Sequence, residues 1–112
     1  GDDEEAVVAT LSAIGTAYVY VPDVRPFADG EETTPVTDLP VRMAFTVPGV
    51  DPLPGDWKAA SWKPDAPSPT ARCMVGPDGG VVVLTRGVYD IWLDVQGTSE
   101  RPKEPVGKLV VR

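Results

Sequence analysis

Proton transfer, nucleophilic attack and metal binding most often rely on histidine, and the 112 residues of this chain contain none. Its absence removes the usual general base, the Ser-His and Cys-His nucleophile pairs, and the commonest transition-metal ligand. Cys73 is the single cysteine, so neither an intramolecular disulfide nor a Cys-rich metal site can form. It sits in an apolar run, "TARCMV", where it reads as a small hydrophobe with no base to activate it. Carboxylates are plentiful, but "DPLPGD" and "DGEE" lack the alternating oxygen ligands of a calcium loop, and proline breaks the first. The expectation is a chain that is not an enzyme, with no catalytic residue, no metal and no cofactor.

The residues suited to contact rather than catalysis are the tryptophans. In "LTRGVYDIWLDVQ", Tyr89, Ile91, Leu93 and Val95 form one apolar row, while Asp90, Trp92, Asp94 and Gln96 form the other. A tryptophan in a polar row has two readings. Its ring can lie flat on the outer face, covering its strand neighbours or shielded by the first segment, or it can anchor a partner, as tryptophan often does at interfaces. Both place Trp92 outside the central core. Trp57 and Trp62 are five positions apart, so in a strand they point to opposite faces, one inward and one outward. Either could serve as a sugar-binding platform, given a cluster of polar groups around it.

Charge is distributed unevenly. Of the net −7, nine acids against Arg25 alone give −8 up to Asp38, and nine bases against eight acids give +1 from Leu39 onward. This balance argues against nucleic acid, which calls for a basic stripe. Nor does any run approach the about 18 to 20 apolar residues of a membrane helix. The first segment, "GDDEEAVVATLSAIG", begins with acids where a secretory leader needs positive charge. Asp2, Asp3, Glu4 and Glu5 precede a patch of Val7, Val8, Leu11 and Ile14 that is too apolar for a solubilising tail. Residues 1–14 thus read as an acidic arm that reaches a basic neighbour and buries its apolar part, folded as a short helix or an edge strand, with a disordered tail as the other reading.

Thirteen prolines and eleven glycines leave little room for long helices. Between them run short segments rich in Val, Tyr, Phe, Trp and Thr: residues 16–21, 41–47, 56–62, 70–75, 80–85, 89–96 and 106–112. "VRMAFTV" alternates Val41, Met43, Phe45 and Val47 with Arg42, Ala44 and Thr46, as a half-buried strand does. "GPDGG" suits a tight turn that would join residues 70–75 and 80–85 as a hairpin. About seven short strands predict an all-β domain over residues 15–112, an immunoglobulin-like antiparallel β-sandwich, with a small barrel as the alternative. "TRG" followed by Tyr89 is similar to the tyrosine corner of such sandwiches, in which the phenol bonds to nearby backbone.

From about Gly15 onward the chain also resembles a group of small structural proteins of actinobacterial tailed phages and prophages. "GTAYVYVP", "MAFTVPGVDPLPGDWKAASW", "ARCMVGPDGGVVVLTRGVYDIWLDV" and "RPKEPVGKLVVR" carry the resemblance. A longer acidic segment before Gly15 and the loop "QGTSERPKEP" depart from it. The resemblance implies a non-catalytic virion protein, assembled in the host cytoplasm and bound to the capsid lattice or the head-to-tail connector. Partners would be the major capsid protein or the connector, in a symmetric array, with no nucleic acid and no membrane. The expected anchors are Trp92 and the segment Ala6 to Ile14. The alternative is an immunoglobulin-like module of a secreted or surface protein that binds carbohydrate or protein.

Overall fold

The computed structural model describes residues 7–24, 36–96 and 104–112. Seven strands form the domain: β1 (Val7–Leu11), β2 (Ala17–Val21), β3 (Val41–Thr46), β4 (Lys58–Trp62), β5 (Ala71–Val75), β6 (Gly87–Val95) and β7 (Gly107–Val111). Single turns of 3-10 helix, Val36–Asp38 and Pro54–Asp56, precede β3 and β4. The strands are joined by hydrogen bonds in the order β1-β7-β6-β3-β4-β5-β2, a sheet that curls into a near-closed barrel. β4 makes the corner, because Lys58–Ala60 pair with β3 while Ser61 and Trp62 pair with β5.

The expected all-β domain of about seven strands is therefore present, as one continuous curled sheet. Every neighbouring pair is antiparallel except β1 and β7. The apolar phase of each strand faces inward, and Met43, Ile91, Leu109, Val19 and Cys73 are the largest side chains fully enclosed there. Each contributes about 1.5–3 kcal/mol of transfer free energy if large and aliphatic. Burial raises the Cys73 thiol from 9.0 to about 11, which keeps it protonated and unreactive near neutrality.

One open sequence expectation is decided and another is corrected. The amino-terminal segment contains no helix among its described residues. Residues 7–11 form edge strand β1, whose Ala9 and Leu11 pack on the core. Residues 80–85 form neither a strand nor a hairpin with β5. They run alongside it only through an isolated parallel bridge, Val75 to Val82. The cause lies in "GPDGG". Gly76, at φ +142°, meets the backbone of Gly15 and Thr16 so closely that a Cβ there would lie 2.5 Å from both. Asp78 N–H donates to Thr16 Oγ1 at 2.8 Å, so the turn packs on the β1–β2 connection and sends the chain onward across the barrel end. Alternation persists along this crossover, with Val82 and Leu84 packed on the core and Val81 and Val83 turned outward.

The tyrosine corner is present. Tyr89, near the start of β6, donates its hydroxyl to Thr85 O at 2.8 Å and pins the crossover where it enters the sheet.

Candidate functional site

Pairing directions define two ends of the barrel. β1, β3, β5 and β7 finish, and β2, β4 and β6 begin, at the end crossed by residues 76–86. At this crossover end lie Ile14 of the β1–β2 turn, Val47, Val50 and Leu53 of the β3–β4 loop, Val81 and Val83 of the crossover, and Val88 at the start of β6. They are seven of the eight large apolar side chains exposed among the described residues, Tyr20 being the other. Ile14 is 86 % exposed, Leu53 67 % and Val83 62 %.

Local geometry explains the exposure. Pro48, Pro52 and Pro54 break the β3–β4 segment into turns, closed by Val50 N–H to Val47 O and by Asp56 N–H to Leu53 O. The Asp56 carboxylate takes the Leu53 N–H at 2.8 Å. Gly49 N–H reaches the Asp90 carboxylate at 3.1 Å and ties the same loop to β6. The valines are thus held by backbone bonds rather than by burial. The described charges of these loops and of Arg112 are Asp51, Asp56, Asp78, Arg86 and Arg112, a near balance in a strongly acidic chain. A gathering of exposed apolar groups on a fixed, nearly neutral end is the kind of surface that marks a contact with another macromolecule.

The outer face of β6 has a different character. Trp92 is only 4 % exposed, yet it lies outside the core enclosed by the barrel. Its partner on β3 is Ala44, a small residue that leaves space for an indole across the strand and is itself 0 % exposed. The indole N–H donates to Thr46 Oγ1 at 3.0 Å. Charged pairs flank it. Lys108 Nζ stands 2.7 Å from Asp90, and Arg42 Nε donates to Asp94 at 2.9 Å while its guanidinium stacks over Trp57 at 5.1 Å. Burial alone would raise the Asp90 carboxyl, but the Lys108 ammonium and the Gly49 N–H outweigh it and hold the group below its usual range. Asp94 Oδ1 is buried without a hydrogen-bond partner, a local cost of about 1–3 kcal/mol.

No family model, curated protein or solved structure matches the chain.

The expected anchors therefore divide. Trp92 follows the first of its two readings in place: its ring is covered and its polar atom satisfied inside the chain, leaving little for a partner to touch. Val7 and Val8 belong to β1, Leu11 is half-buried against the core, and Ile14 is presented to solvent. Asp2, Asp3, Glu4 and Glu5 lie outside the described residues. Of the paired tryptophans, Trp62 is the inward one, packed on the core with its N–H given to Leu39 O at 2.8 Å, and Trp57 is the outer one. Among the described residues no three or more His, Cys, Asp or Glu are grouped to hold a metal ion, and no helix is long and apolar enough to cross a membrane.

Val47 was read from sequence as the last residue of the apolar row of Val41, Met43 and Phe45, but it lies past the end of β3 and is 61 % exposed. Val50, Leu53, Val81, Val83 and Val88 were not singled out. A signal existed for Val47, Val50 and Leu53: apolar residues separated by prolines and glycines in "TVPGVDPLPGD" cannot share one strand face, so some must face solvent.

Proposed function

We propose that this protein is a non-catalytic structural component of a tailed-phage particle, docked by its crossover end on the capsid lattice or the head-to-tail connector and repeated by the particle's symmetry. The carrying observation is the concentration of exposed apolar side chains at that end. Burying them against an apolar patch of the coat or connector drives docking at about 25 cal/mol per Å² of apolar surface removed from water, less the cost of association. Asp2 to Glu5 steer the chain toward a basic surface of the partner. A decoration role on the capsid is preferred to a neck role, because a small module with a fixed apolar end suits the cementing of neighbouring subunits.

The finer fold reading is an immunoglobulin-like arrangement. It is supported by β1 parallel to β7, by the β3–β6 pairing, by the switch of β4 between partners and by the Tyr89 corner.

The test is quantitative mass spectrometry of particles purified from the source culture. A copy number near that of the coat protein is expected for capsid decoration, and a single ring's worth for the neck. Absence of the chain from purified particles overturns the virion reading and turns the assignment to a binding module of a secreted or surface protein. Within particles, Leu53→Ser with Val83→Ser is expected to reduce incorporation while the isolated domain keeps its stability.

A further inference from the structure

The loop from β4 to β5, residues 63–70, reads "KPDAPSPT". With Trp62 behind it and Thr37 beside it, the loop borders an open surface cavity of about 370 Å³. That size falls at the small end of the about 300–1,000 Å³ usual for small-molecule sites. The wall is built before any ligand arrives. Pro64, Pro67 and Pro69 each fix a backbone torsion. Lys63 N–H donates to Thr70 O at 2.8 Å, Val24 N–H to Pro69 O at 2.9 Å, and the Thr70 hydroxyl to Ser68 O at 3.0 Å. Asp65 is held in the left-handed region at φ 59°, a conformation a tight loop has to impose on a residue other than glycine. A ligand entering here need not order the loop, which removes one of the usual costs of binding.

The lining chemistry narrows the class of ligand. Trp62 has its one polar atom committed to Leu39 O, so toward the cavity its ring offers only carbon. Around it stand Lys63, Asp65, Ser68 and Thr37, each able to donate or accept hydrogen bonds. The two charges are opposite. An anion attracted by Lys63 meets Asp65, and a cation attracted by Asp65 meets Lys63. A neutral molecule rich in hydroxyls uses both, as acceptor and donor, and needs an apolar surface for its C–H face.

We propose that this cavity binds a neutral pyranose sugar, a single hexose unit or the end of a glycan, laid with its C–H face on Trp62. Its hydroxyls are held by Asp65 and Lys63, with Ser68 and Thr37 at the rim. The site lies at the barrel end opposite the crossover end, because β4 finishes and β5 begins there. It can therefore be occupied while the crossover end is docked, and it does not depend on the virion reading.

The experiment is a titration of the isotope-labelled full chain, followed by amide and indole resonances, with methyl α-glucopyranoside, methyl α-mannopyranoside and N-acetylglucosamine. Saturable shifts are expected with at least one sugar at the Trp62 indole and at the amides of Lys63, Asp65, Ala66 and Ser68. The outer-face indole of Trp92 should stay still. Trp62→Ala also removes a ring packed on the core, so the decisive variants are Asp65→Ala and Lys63→Ala, both at exposed positions. Each is expected to weaken binding about tenfold, the size of one lost charge-assisted hydrogen bond, with thermal stability unchanged for Lys63→Ala and somewhat lowered for Asp65→Ala, which places alanine at φ 59°. The proposal is overturned if none of the three sugars gives a saturable shift, if the shifts map elsewhere, or if Asp65→Ala and Lys63→Ala both bind as the parent does.

Discussion

The outer face of β6 and the crossover end both hold large apolar side chains outside the barrel core, and they treat them in opposite ways. Trp92 is covered, hydrogen-bonded to Thr46 and flanked by ion pairs, so its surroundings are complete within one chain. Ile14, Leu53 and Val83 are exposed on loops fixed by backbone bonds. The lesson is that the residue type suited to an interface is a weaker guide than whether its surface and polar atoms are already satisfied. Tryptophan at the first site stabilises the fold, whereas valine, leucine and isoleucine at the second are available to a neighbour.

Substitutions can break this contrast, and the largest effect belongs to the covered side. Trp92→Ala removes a buried ring and is expected to destabilise the domain by about 3–5 kcal/mol in urea unfolding. A variant with near-parent stability would place the ring in solvent and undo the distinction. Tyr89→Phe should cost about 1 kcal/mol by deleting the bond to Thr85 O at the root of the crossover. Its effect should appear in the same unfolding measurement.

Smaller again is Lys108→Met, because the lysine is half exposed. A loss of up to about 1 kcal/mol at neutral pH is expected, and its pH profile is the sharper readout. The Asp90 carboxyl titrates lower in the folded chain than its ordinary 3.8, so its contribution is present above 3.8 and is lost as pH falls through the folded value. Removing Lys108 should shrink that acid-dependent loss. At the other limit, Leu53→Ser should leave stability within about 0.5 kcal/mol, since nothing covers the side chain. A loss well beyond that would mean that the crossover end is part of the core rather than a docking surface.

The strands were legible from sequence because alternation over residues 17–21, 41–46, 71–75 and 89–95 reports which row faces the barrel core, although the outer row of β3 and β6, from Ala44 and Thr46 to Asp90, Trp92 and Asp94, is buried as well. Tyr89 was legible for a related reason: a corner residue carries both an inward phase and a hydroxyl. Residues 80–85 misled because alternation has the same period whether a segment pairs in a ladder or crosses a barrel end. What decided between them was contact between Gly76 and the β1–β2 connection, 60 positions earlier in sequence, which no local pattern records. Trp92 lies on the outer row of β6, as the alternation requires, but its burial was invisible in the sequence. The room for its ring comes from Ala44, a residue unremarkable in its own strand and meaningful only through register. The crossover end was hidden for a similar reason, since its apolar residues come from separate loops that only topology brings together.

The parallel pairing of β1 with β7 has a mechanical consequence. Tension applied between Val7 and Arg112 pulls the two strands past each other along their length, and the paired residues from Val7–Gly107 to Leu11–Val111 are loaded together in shear. A ladder peeled from one end gives way one bond at a time, whereas a sheared ladder must lose its bonds nearly at once. Force that reaches this domain through Val7 and Arg112 therefore acts along the direction in which the β1–β7 ladder resists rupture most.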